Sequence, residues 1–510
     1  MKVKRALISV WNKEGVYRVA KRLHELGVEI IATEGTARAL EGLPVKKISE
    51  ITGFADVLDG RVKSLHPYIY TAILAREREK DLAQLREMGV EPIDLVIVNL
   101  YPFKEVAAKS ESVELLVENI DIGGVSLVRA AAKNFERVAV VVDPNDYDLI
   151  LHELETYGEI REETRRRLAV KAFAYTSDYD ETIMQTLANK ILERKEFPDV
   201  FTLKFVKVQE LRYGENPHQS AALYREIGST HTGVVDAVQL HGKMLSFNNI
   251  LDLNAAIEVV REFSRPMAVV IKHTNPCGAA IGETIRDAYV KARESDPVSA
   301  YGSIVGLNCE VDLETAKELT STFVEAVVAP NYTAEALGEL RRKEGLRVLM
   351  LPSLKKRTAG IDFRKVTGGL LVQNEDLIEE DASTFKVVSS REPTEKEWQD
   401  ALFGWKIVKH VKSNAIVVSN KEWIVGVGAG QTSRIDAAKI ALEKAGERAR
   451  GGVLASDGFI PFRDTVDEAA RAGVTCIIQP GGSKRDNEVI EAANEHGIAM
   501  IHTGIRHFKH

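Results

Sequence analysis

The sequence predicts an α/β protein in two parts: a doubly wound parallel sheet at the N-terminus, then a longer α/β region that runs through its plan twice. Three observations predict this. Apolar runs at residues 6–10, 28–32, 95–100 and 138–142 lack strict alternation, and stretches of helical period separate several of them, as in a parallel sheet covered on both faces. A helical stretch at 179–195 gives way to Phe197-Pro198-Asp199 and the extended run 200–208, which sets a boundary at about 195–202. Beyond it, one order of elements occurs twice. At about 150 residues per domain, 510 residues hold about three units: 1–195, then 202–510 in halves of about 202–390 and 391–510.

The first ten residues place positive charges before an apolar run, but the run is too short for a signal peptide. Trp11-Asn12-Lys13 follows with no cleavage pattern, so 5–10 reads as a first strand. The first two strands end in the polar turns Ser9 to Gly15 and Ala32-Thr33-Glu34-Gly35-Thr36, each opening a helix. Hydroxyls, Lys13 and glycine at paired helix N-termini make a phosphate cradle. Ordinary capping by Asn12, Thr33 or Thr36 is the plain alternative, and two such turns on neighbouring strands favour the anion site. Reactive groups follow in Arg61-Val62-Lys63-Ser64-Leu65-His66-Pro67, in Asn99-Leu100-Tyr101-Pro102-Phe103, and from Asp121-Ile122-Gly123-Gly124 on to Arg129 and Lys133. A carboxylate, two lysines and a tyrosine can orient a nucleotide and polarise a carbonyl, while glycines let backbone N–H groups approach an oxyanion. No covalent nucleophile stands out, and spacing alone does not separate a phosphate-binding module from an enzyme.

In the second region the first pass reads helix 252–263, strand 267–271, the Lys272-His273 turn, a proline-glycine turn at Pro276 to Gly278, helix 284–293, the segment Ser299 to Ser303 with Tyr301 and Gly302, helix 313–320 and strand 324–329. The second pass reads helix 398–409, strands 415–418 and 423–427, the turn Gly428 to Arg434, helix 435–445, the loop Ser456 to Asp464, helix 466–472 and strand 474–478. Two fused copies of one layer unit are expected, with the turns at 272–273 and 428–434 facing a shared site. An imidazole beside an ammonium is held back from a second positive charge, so Lys272-His273 offers a proton acceptor next to a charge stabiliser. A surface loop without chemistry is the bland reading of that pair alone. Arg212-Tyr213-Gly214-Glu215-Asn216-Pro217-His218-Gln219 adds a guanidinium fork for phosphate and a ring for stacking. An apolar strand at 498–501 leads into the C-terminal Arg506-His507-Phe508-Lys509-His510, which favours an ordered end.

Composition removes several classes. A net charge of −7 argues against a nucleic-acid binder with a broad basic face. No apolar stretch is long enough to cross a membrane. Three scattered cysteines argue against a disulfide framework or a zinc site, and fit a reducing, cytoplasmic setting. Gly426-Val427-Gly428-Ala429-Gly430-Gln431 only approximates a dinucleotide fingerprint. Pro276-Cys277 matches half of a zinc-deaminase signature whose other cysteine and His-x-Glu are missing, so no catalytic metal is expected.

The motifs at 61–67, 99–103, 121–124, 212–219, 272–278, Gly428 to Ile435 and Ser456 to Asp464 fall in one order along the chain. In them the chain resembles the bifunctional purine-biosynthesis family, which joins a 5-aminoimidazole-4-carboxamide ribonucleotide (AICAR) formyltransferase to an inosine monophosphate (IMP) cyclohydrolase. The resemblance implies a methylglyoxal-synthase-like N-terminal domain and a formyltransferase region of two cytidine-deaminase-like halves. It implies a ring-closing site of Lys63, Tyr101, Asp121 and Lys133. Around the nucleotide it places Lys13, Thr33, Gly35, Thr36, Arg61, Ser64, Asn99, Gly123 and Gly124. In the second region Lys272 and His273 would be catalytic. Arg212, Tyr213, Tyr301, Gly302, Asn414, Gln431, Arg434, Phe459, Pro461, Phe462, Asp464, Arg506, Phe508 and His510 would shape the AICAR and folate pockets. The resemblance also implies 10-formyltetrahydrofolate as co-substrate, AICAR and formyl-AICAR as ligands, room for a structural potassium ion, and a homodimer with the formyltransferase site at its interface. Three departures from the family pattern, at Glu34, Ser64 and Tyr68 to Ala72, all fall in the cyclohydrolase part. The alternative is a formyltransferase with a degenerate N-terminal nucleotide-binding module; a zinc-free deaminase would need a water-activating group that the sequence does not offer.

Overall fold

The chain divides into two compact units, Met1–Phe201 and Thr202–His510. The computed structural model describes residues 2–54, 57–58, 61–62, 64–192, 196–356, 358–378 and 381–510. In the first unit β1 (Arg5–Val10), β2 (Glu29–Ala32), β3 (Val45–Lys47), β4 (Leu95–Asn99) and β5 (Ala139–Val141) form one sheet in the order β3-β2-β1-β4-β5, every pair parallel. Alternate residues feed opposite cores: Leu7, Ile31, Val96, Val98 and Val140 on one face, Ala6, Ile8, Ile30, Ile97 and Val141 on the other. The strands therefore read as unbroken apolar runs. Val19, Ala20 and Leu23 of the helix Val16–Glu25 cover one face. The other is covered by the helices Pro67–Leu74, Gly123–Lys133 and Glu162–Ile191. The order of strands reverses between β1 and β4, and the crevice beyond the carboxyl ends at such a switch is where open α/β sheets take ligands.

The second unit opens with a hairpin, β6 (Phe205–Leu211) and β7 (Ala221–Glu226). Its first sheet contains β8 (Val238–His241), β9 (Met267–Lys272), β10 (Asn275–Ile281), β11 (Ser303–Leu307), β12 (Val324–Ala329) and β13 (Arg347–Met350), in the order β10-β9-β11-β12-β13-β8. A second two-stranded ribbon, β14 (Ile361–Val366) and β15 (Gly369–Asn374), precedes the second sheet. That sheet contains β16 (Lys386–Val387), β17 (Ile416–Ser419), β18 (Ile424–Gly428), β19 (Val453–Ser456), β20 (Cys476–Gln479) and β21 (Ala499–His502). Its order, β18-β17-β19-β20-β21-β16, repeats the first. In each sheet an antiparallel hairpin lies beside three mutually parallel strands, and the strand before the first helix closes the far edge antiparallel. The duplication read from the order of elements is thus a duplication of topology. The two 14-residue helices Phe247–Val260 and Glu395–Val408 contribute to one core that draws on both sheets, with Leu253, Ile257, Ile271, Phe403, Ile407 and Val417 all buried in it.

Two readings of this region need correction. The segment after Lys272-His273 is not a proline-glycine turn leading to a helix: Asn275–Ile281 is a strand antiparallel to β9, and the helix follows at Ile285–Ser295. Pro276 is tolerated because the register shifts between Pro276 and Gly278, and a proline without an N–H fits such an irregularity. In consequence the topological counterpart of the 272–273 turn is the β17–β18 hairpin at Lys421–Glu422, not the 428–434 turn. The 272–273 and 428–434 turns are still brought together. Strand β10 meets β18 through an Ala280–Trp423 bridge, the Lys412 N–H donates to Asn275 Oδ1 at 3.0 Å, and the Gly430 N–H donates to the Lys412 carbonyl at 2.7 Å.

Candidate active sites

At the β1/β4 switch a cavity of about 510 Å³ opens, lined by Lys13, Thr33, Gly35, Thr36, Arg61, Ser64, Asn99, Tyr101, Asp121, Gly123 and Gly124 together with Trp11, Glu118 and Ile122. Asn99 ends β4 and ties the switch: its Oδ1 accepts from the N–H groups of Trp11 and Asn12 at 2.6 and 2.8 Å, and its Nδ2 donates to the Asn12 carbonyl at 3.0 Å. Thr36, buried, accepts from the Val10 N–H at 3.0 Å and from the Lys13 ammonium at 3.3 Å, so the two polar turns are stitched into one cradle. Burial lowers the pKa of the Lys13 ammonium from the usual lysine value, with the charge of Arg38 adding to the effect. Glu34, in the same turn, is absent from the lining.

The opposite wall is the first turn of the helix Gly123–Lys133. Asp121 Oδ1 accepts from the Gly124 N–H at 2.7 Å, and the Asp121 N–H donates to the Tyr179 hydroxyl at 2.9 Å. Glycine is required at both helix positions by approach: a Cβ on Gly123 would lie 2.4 Å from Ser64 Oγ, and one on Gly124 would lie 2.6 Å from Asp121 Oδ2. Tyr70, within the departure at 68–72, has its phenol pushed up to about 12 by burial, with the Asp121 charge adding. Arg61 pairs with Glu118 at the rim. Lys63 lies outside the described residues. Lys133 ends its helix on the exposed surface, about 14 Å of helix rise beyond Gly124, and is not among the lining residues. Trp11 was not picked out from the sequence. Its indole lines the cavity while 53% exposed, edge-on to Tyr101 at 5.2 Å between ring centroids. Its signal in the sequence is a large aromatic directly after Val10, the last residue of β1.

In the second unit Lys272 and His273 sit at the β9–β10 hairpin. Lys272 Nζ donates to the carbonyls of Tyr301 and Gly302, both at 2.9 Å, which commits two of the ammonium's three N–H bonds and leaves one for a ligand. His273 and Thr274 take φ of 51° and 63°, as a two-residue type I′ turn requires. Neither is glycine and Thr274 is β-branched, so each left-handed residue costs about 1–3 kcal/mol. The Asp252 carboxylate answers this turn by accepting from the Thr274 N–H at 2.6 Å. Beside it Tyr301 is 68% exposed, with its ring 5.3 Å from that of Phe323.

A second cluster gathers at the carboxyl end of β19. Arg434 donates to Ser456 Oγ at 2.8 Å, to Asn414 Oδ1 at 2.9 Å and to Asp457, whose carboxylate is fully buried. Asn414 and Gln431 exchange backbone hydrogen bonds at 3.1 and 3.4 Å. Ile460 is buried, its N–H donating to Gln479 Oε1 at 2.8 Å, and this pins the loop that exposes Phe459 and Phe462 on either side, with Pro461 between them. Asp464 begins the next helix on the surface. The C-terminus returns here: the His507 N–H donates to the Asp457 carbonyl at 3.0 Å, the Arg506 guanidinium lies 4.5 Å over the Phe508 ring, and Lys412 Nζ donates to the His510 carbonyl at 2.7 Å. The Arg212–Tyr213 pair stacks at 4.7 Å on the loop 212–219, which Gln219 folds by bonding Gly214 and Asn216 and which reaches the helix Phe247–Val260 through Asn248. Asp457 and Asp252 escaped the sequence reading because each acts through a tertiary contact. Asp457 lies inside the Ser456 to Asp464 motif.

Among the described residues no group of three or more His, Cys, Asp or Glu side chains is arranged to hold a metal ion, and no helix is long and apolar enough to cross a membrane. A family model described as AICARFT/IMPCHase bienzyme matches residues 131–444, and one described as MGS-like domain matches 15–126. Three relatives named bifunctional purine biosynthesis protein PurH align with 99% of this chain and 100% of their own. Those from Halalkalibacterium halodurans, Bacillus cereus and Anoxybacillus flavithermus are 52%, 51% and 53% identical.

Proposed function

Because the chain belongs to the AICARFT/IMPCHase bienzyme family, we infer that its two units divide two consecutive reactions between them, with ring closure in the first and formyl transfer in the second. The protein catalyses the last two steps of purine nucleotide synthesis and uses a folate co-substrate. The formyl donor in this reading is 10-formyltetrahydrofolate. The AICAR amine, weakened by conjugation, attacks the formyl carbon; a base must take its proton and a cation must steady the tetrahedral oxyanion. His273 serves as the base. Lys272, with one N–H left after Tyr301 and Gly302, stabilises the oxyanion or protonates the departing folate nitrogen.

Ring closure then joins the carboxamide nitrogen of formyl-AICAR to its formyl carbon and expels water. Asp121, fixed by the Gly124 N–H, moves the proton, and Lys63 polarises the formyl oxygen. Lys133, at the far end of the helix Gly123–Lys133 and outside the cavity lining, leaves the polarising role to Lys63. The phosphate sits against Lys13, Thr33, Gly35 and Thr36, where its charge would push the Lys13 ammonium back up. The observation that supports the reading is that Lys13, Thr36, Arg61, Ser64, Tyr101 and Asp121, distant in sequence, line one cavity. The departures at Glu34, Ser64 and 68–72 do not empty it: Ser64 lines it, Glu34 stays out of the lining and Tyr70 is half-buried against the core.

The formyltransferase site is completed by a second copy of the chain. Tyr301, Phe323 and Val298 leave 68%, 47% and 86% of their surfaces exposed around Lys272, an apolar patch of the kind that marks an interface. The direct test incubates purified protein with AICAR and 10-formyltetrahydrofolate and follows tetrahydrofolate and IMP. Tetrahydrofolate without IMP would favour the degenerate N-terminal alternative.

A further inference from the structure

The internal duplication offers a comparison that a single site would not. Helix Phe247–Val260 carries Asp252 as its sixth residue, and helix Glu395–Val408 carries Asp400 as its sixth. Each faces the turn of the hairpin that follows it. The Thr274 N–H donates to Asp252 Oδ1 at 2.6 Å, and the Glu422 N–H donates to Asp400 Oδ1 at 2.5 Å. The preceding N–H groups, of His273 and Lys421, are turned toward the same carboxylates. The turn residues match in conformation: φ is 51° and 63° at His273 and Thr274, 58° and 52° at Lys421 and Glu422. Two left-handed residues in succession present two backbone N–H groups to one side, and a carboxylate is the acceptor that can serve both.

One device therefore builds both turns, and the fold requires it whether or not a turn carries chemistry. The second turn packs on the first half, with the Glu422 carbonyl accepting from the Ile281 N–H at 3.0 Å. The first carries Lys272 and His273. We propose that Asp252 is a positioning residue for formyl transfer: by holding the His273–Thr274 backbone left-handed it fixes the direction in which the imidazole leaves the turn, relative to an ammonium anchored independently on Tyr301 and Gly302. Asp400 is its structural twin without a catalytic charge. The proposal rests on His273 being the base of the reaction.

The test compares Asp252→Ala and Asp252→Asn with Asp400→Ala and Asp400→Asn and with His273→Ala, measuring kcat and KM for formyl transfer per folded molecule and ring closure of added formyl-AICAR in the same preparations. Asp252→Ala should lower kcat about a hundredfold with KM for AICAR changed less than threefold, since misplacement of a catalytic group by about 1 Å costs about that factor. Asp252→Asn, which keeps one acceptor, should recover kcat to between about a tenth and a third of wild type, short of the full value. The Asp400 variants should lower thermal stability and leave kcat within about threefold, with ring closure unaffected throughout. A folded Asp252→Ala protein with kcat within twofold of wild type, or a folded Asp400 variant losing as much kcat as its Asp252 counterpart, would overturn the proposal. Where either alanine variant does not fold, the asparagine pair decides: a folded Asp252→Asn with wild-type kcat sinks it. An active His273→Ala would instead remove the catalytic reading on which it depends.

Discussion

At Gly124 the floor of the first cavity is set by what a single methyl group would displace. A Cβ there would meet Asp121 Oδ2 at 2.6 Å and Leu100 Cδ2 at 2.8 Å, while alanine is otherwise favoured over glycine in a helix by about 1 kcal/mol. Gly124→Ala should thus leave the protein folded and push the Asp121 carboxylate aside. Ring closure is expected to fall by about tenfold to a hundredfold in kcat with formyl transfer unchanged, and an unaltered ring-closure rate would show that Asp121 is not held by this contact. Glu34 makes the opposite case. It stands outside the lining although Thr33, Gly35 and Thr36 are in it, so Glu34→Gly should change the KM for formyl-AICAR by less than about tenfold, a displaced charge near the surface being worth no more than about 1 kcal/mol. A hundredfold tightening would mean that the carboxylate competes with the phosphate. Residues of this first-cavity kind were legible because they recur in short motifs with chemical character. Trp11, Asp252 and Asp457 were not, because an exposed indole at a cavity mouth, a half-buried carboxylate under a turn and a fully buried one are defined by what folds against them.

Strands with continuous apolar runs were read correctly in the parallel sheet, since burial on both faces leaves a signature in sequence. Strand β10 left none. Its Pro276-Cys277-Gly278 start has turn chemistry, and only its place at the sheet edge beside a register shift makes it a strand. The helix read at 398–409 in fact starts at Glu395, on a capping box. At Glu395–Val408 the Thr394 hydroxyl accepts from the Glu397 N–H at 3.2 Å, and Glu397 accepts from the Thr394 N–H at 2.8 Å and from Arg391 at 2.8 and 3.0 Å. Burial pushes the Glu397 carboxyl up, but hydrogen bonds from Arg391, Thr475 and Thr394 outweigh it and hold it at about 2, against an ordinary 4.5. As pH falls below 4.5 the unfolded chain takes up the proton first. The stability this carboxylate supplies is therefore complete above pH 4.5 and lost as pH falls toward 2. Glu397→Gln should lower stability near pH 7 by about 1–2 kcal/mol after allowance for solvent screening, and the two proteins should converge below about pH 2. Urea midpoints at a series of pH values would measure it; a constant gap across that window would assign the loss to packing.

For the molecule as a whole, the repeated order of elements was enough to read the duplication, because the same succession of helix, hairpin and parallel strands is written twice. Which turns correspond was not readable, since that depends on β10. Both candidate sites draw their described residues from within one unit, 1–201 for the cavity and 202–510 for the hairpin site. The activities should therefore separate: Lys272→Ala or His273→Ala abolishes formyl transfer and spares ring closure of added formyl-AICAR, and Lys63→Ala or Asp121→Ala does the reverse. Loss of both activities from one substitution in a folded protein would refute two independent sites. The second unit raises the further question of whether one copy completes its own site. Lys272 is bordered by exposed Tyr301 and Phe323, and Phe508 is 42% exposed beside Arg506 at the other cluster. If a homodimer joins the Lys272 side of one copy to the Phe508 side of another, Lys272→Ala and Phe508→Ala each disable every site in their own dimers. Mixed dimers then hold one doubly altered and one intact site. Random exchange makes half of the dimers mixed, so co-refolded variants should regain about a quarter of wild-type formyl transfer. If both residues serve the same site from one chain, every site in a mixed dimer carries one defect and nothing is regained. Sedimentation at assay concentration supplies the companion measurement, and a fully active monomer would end the interface model.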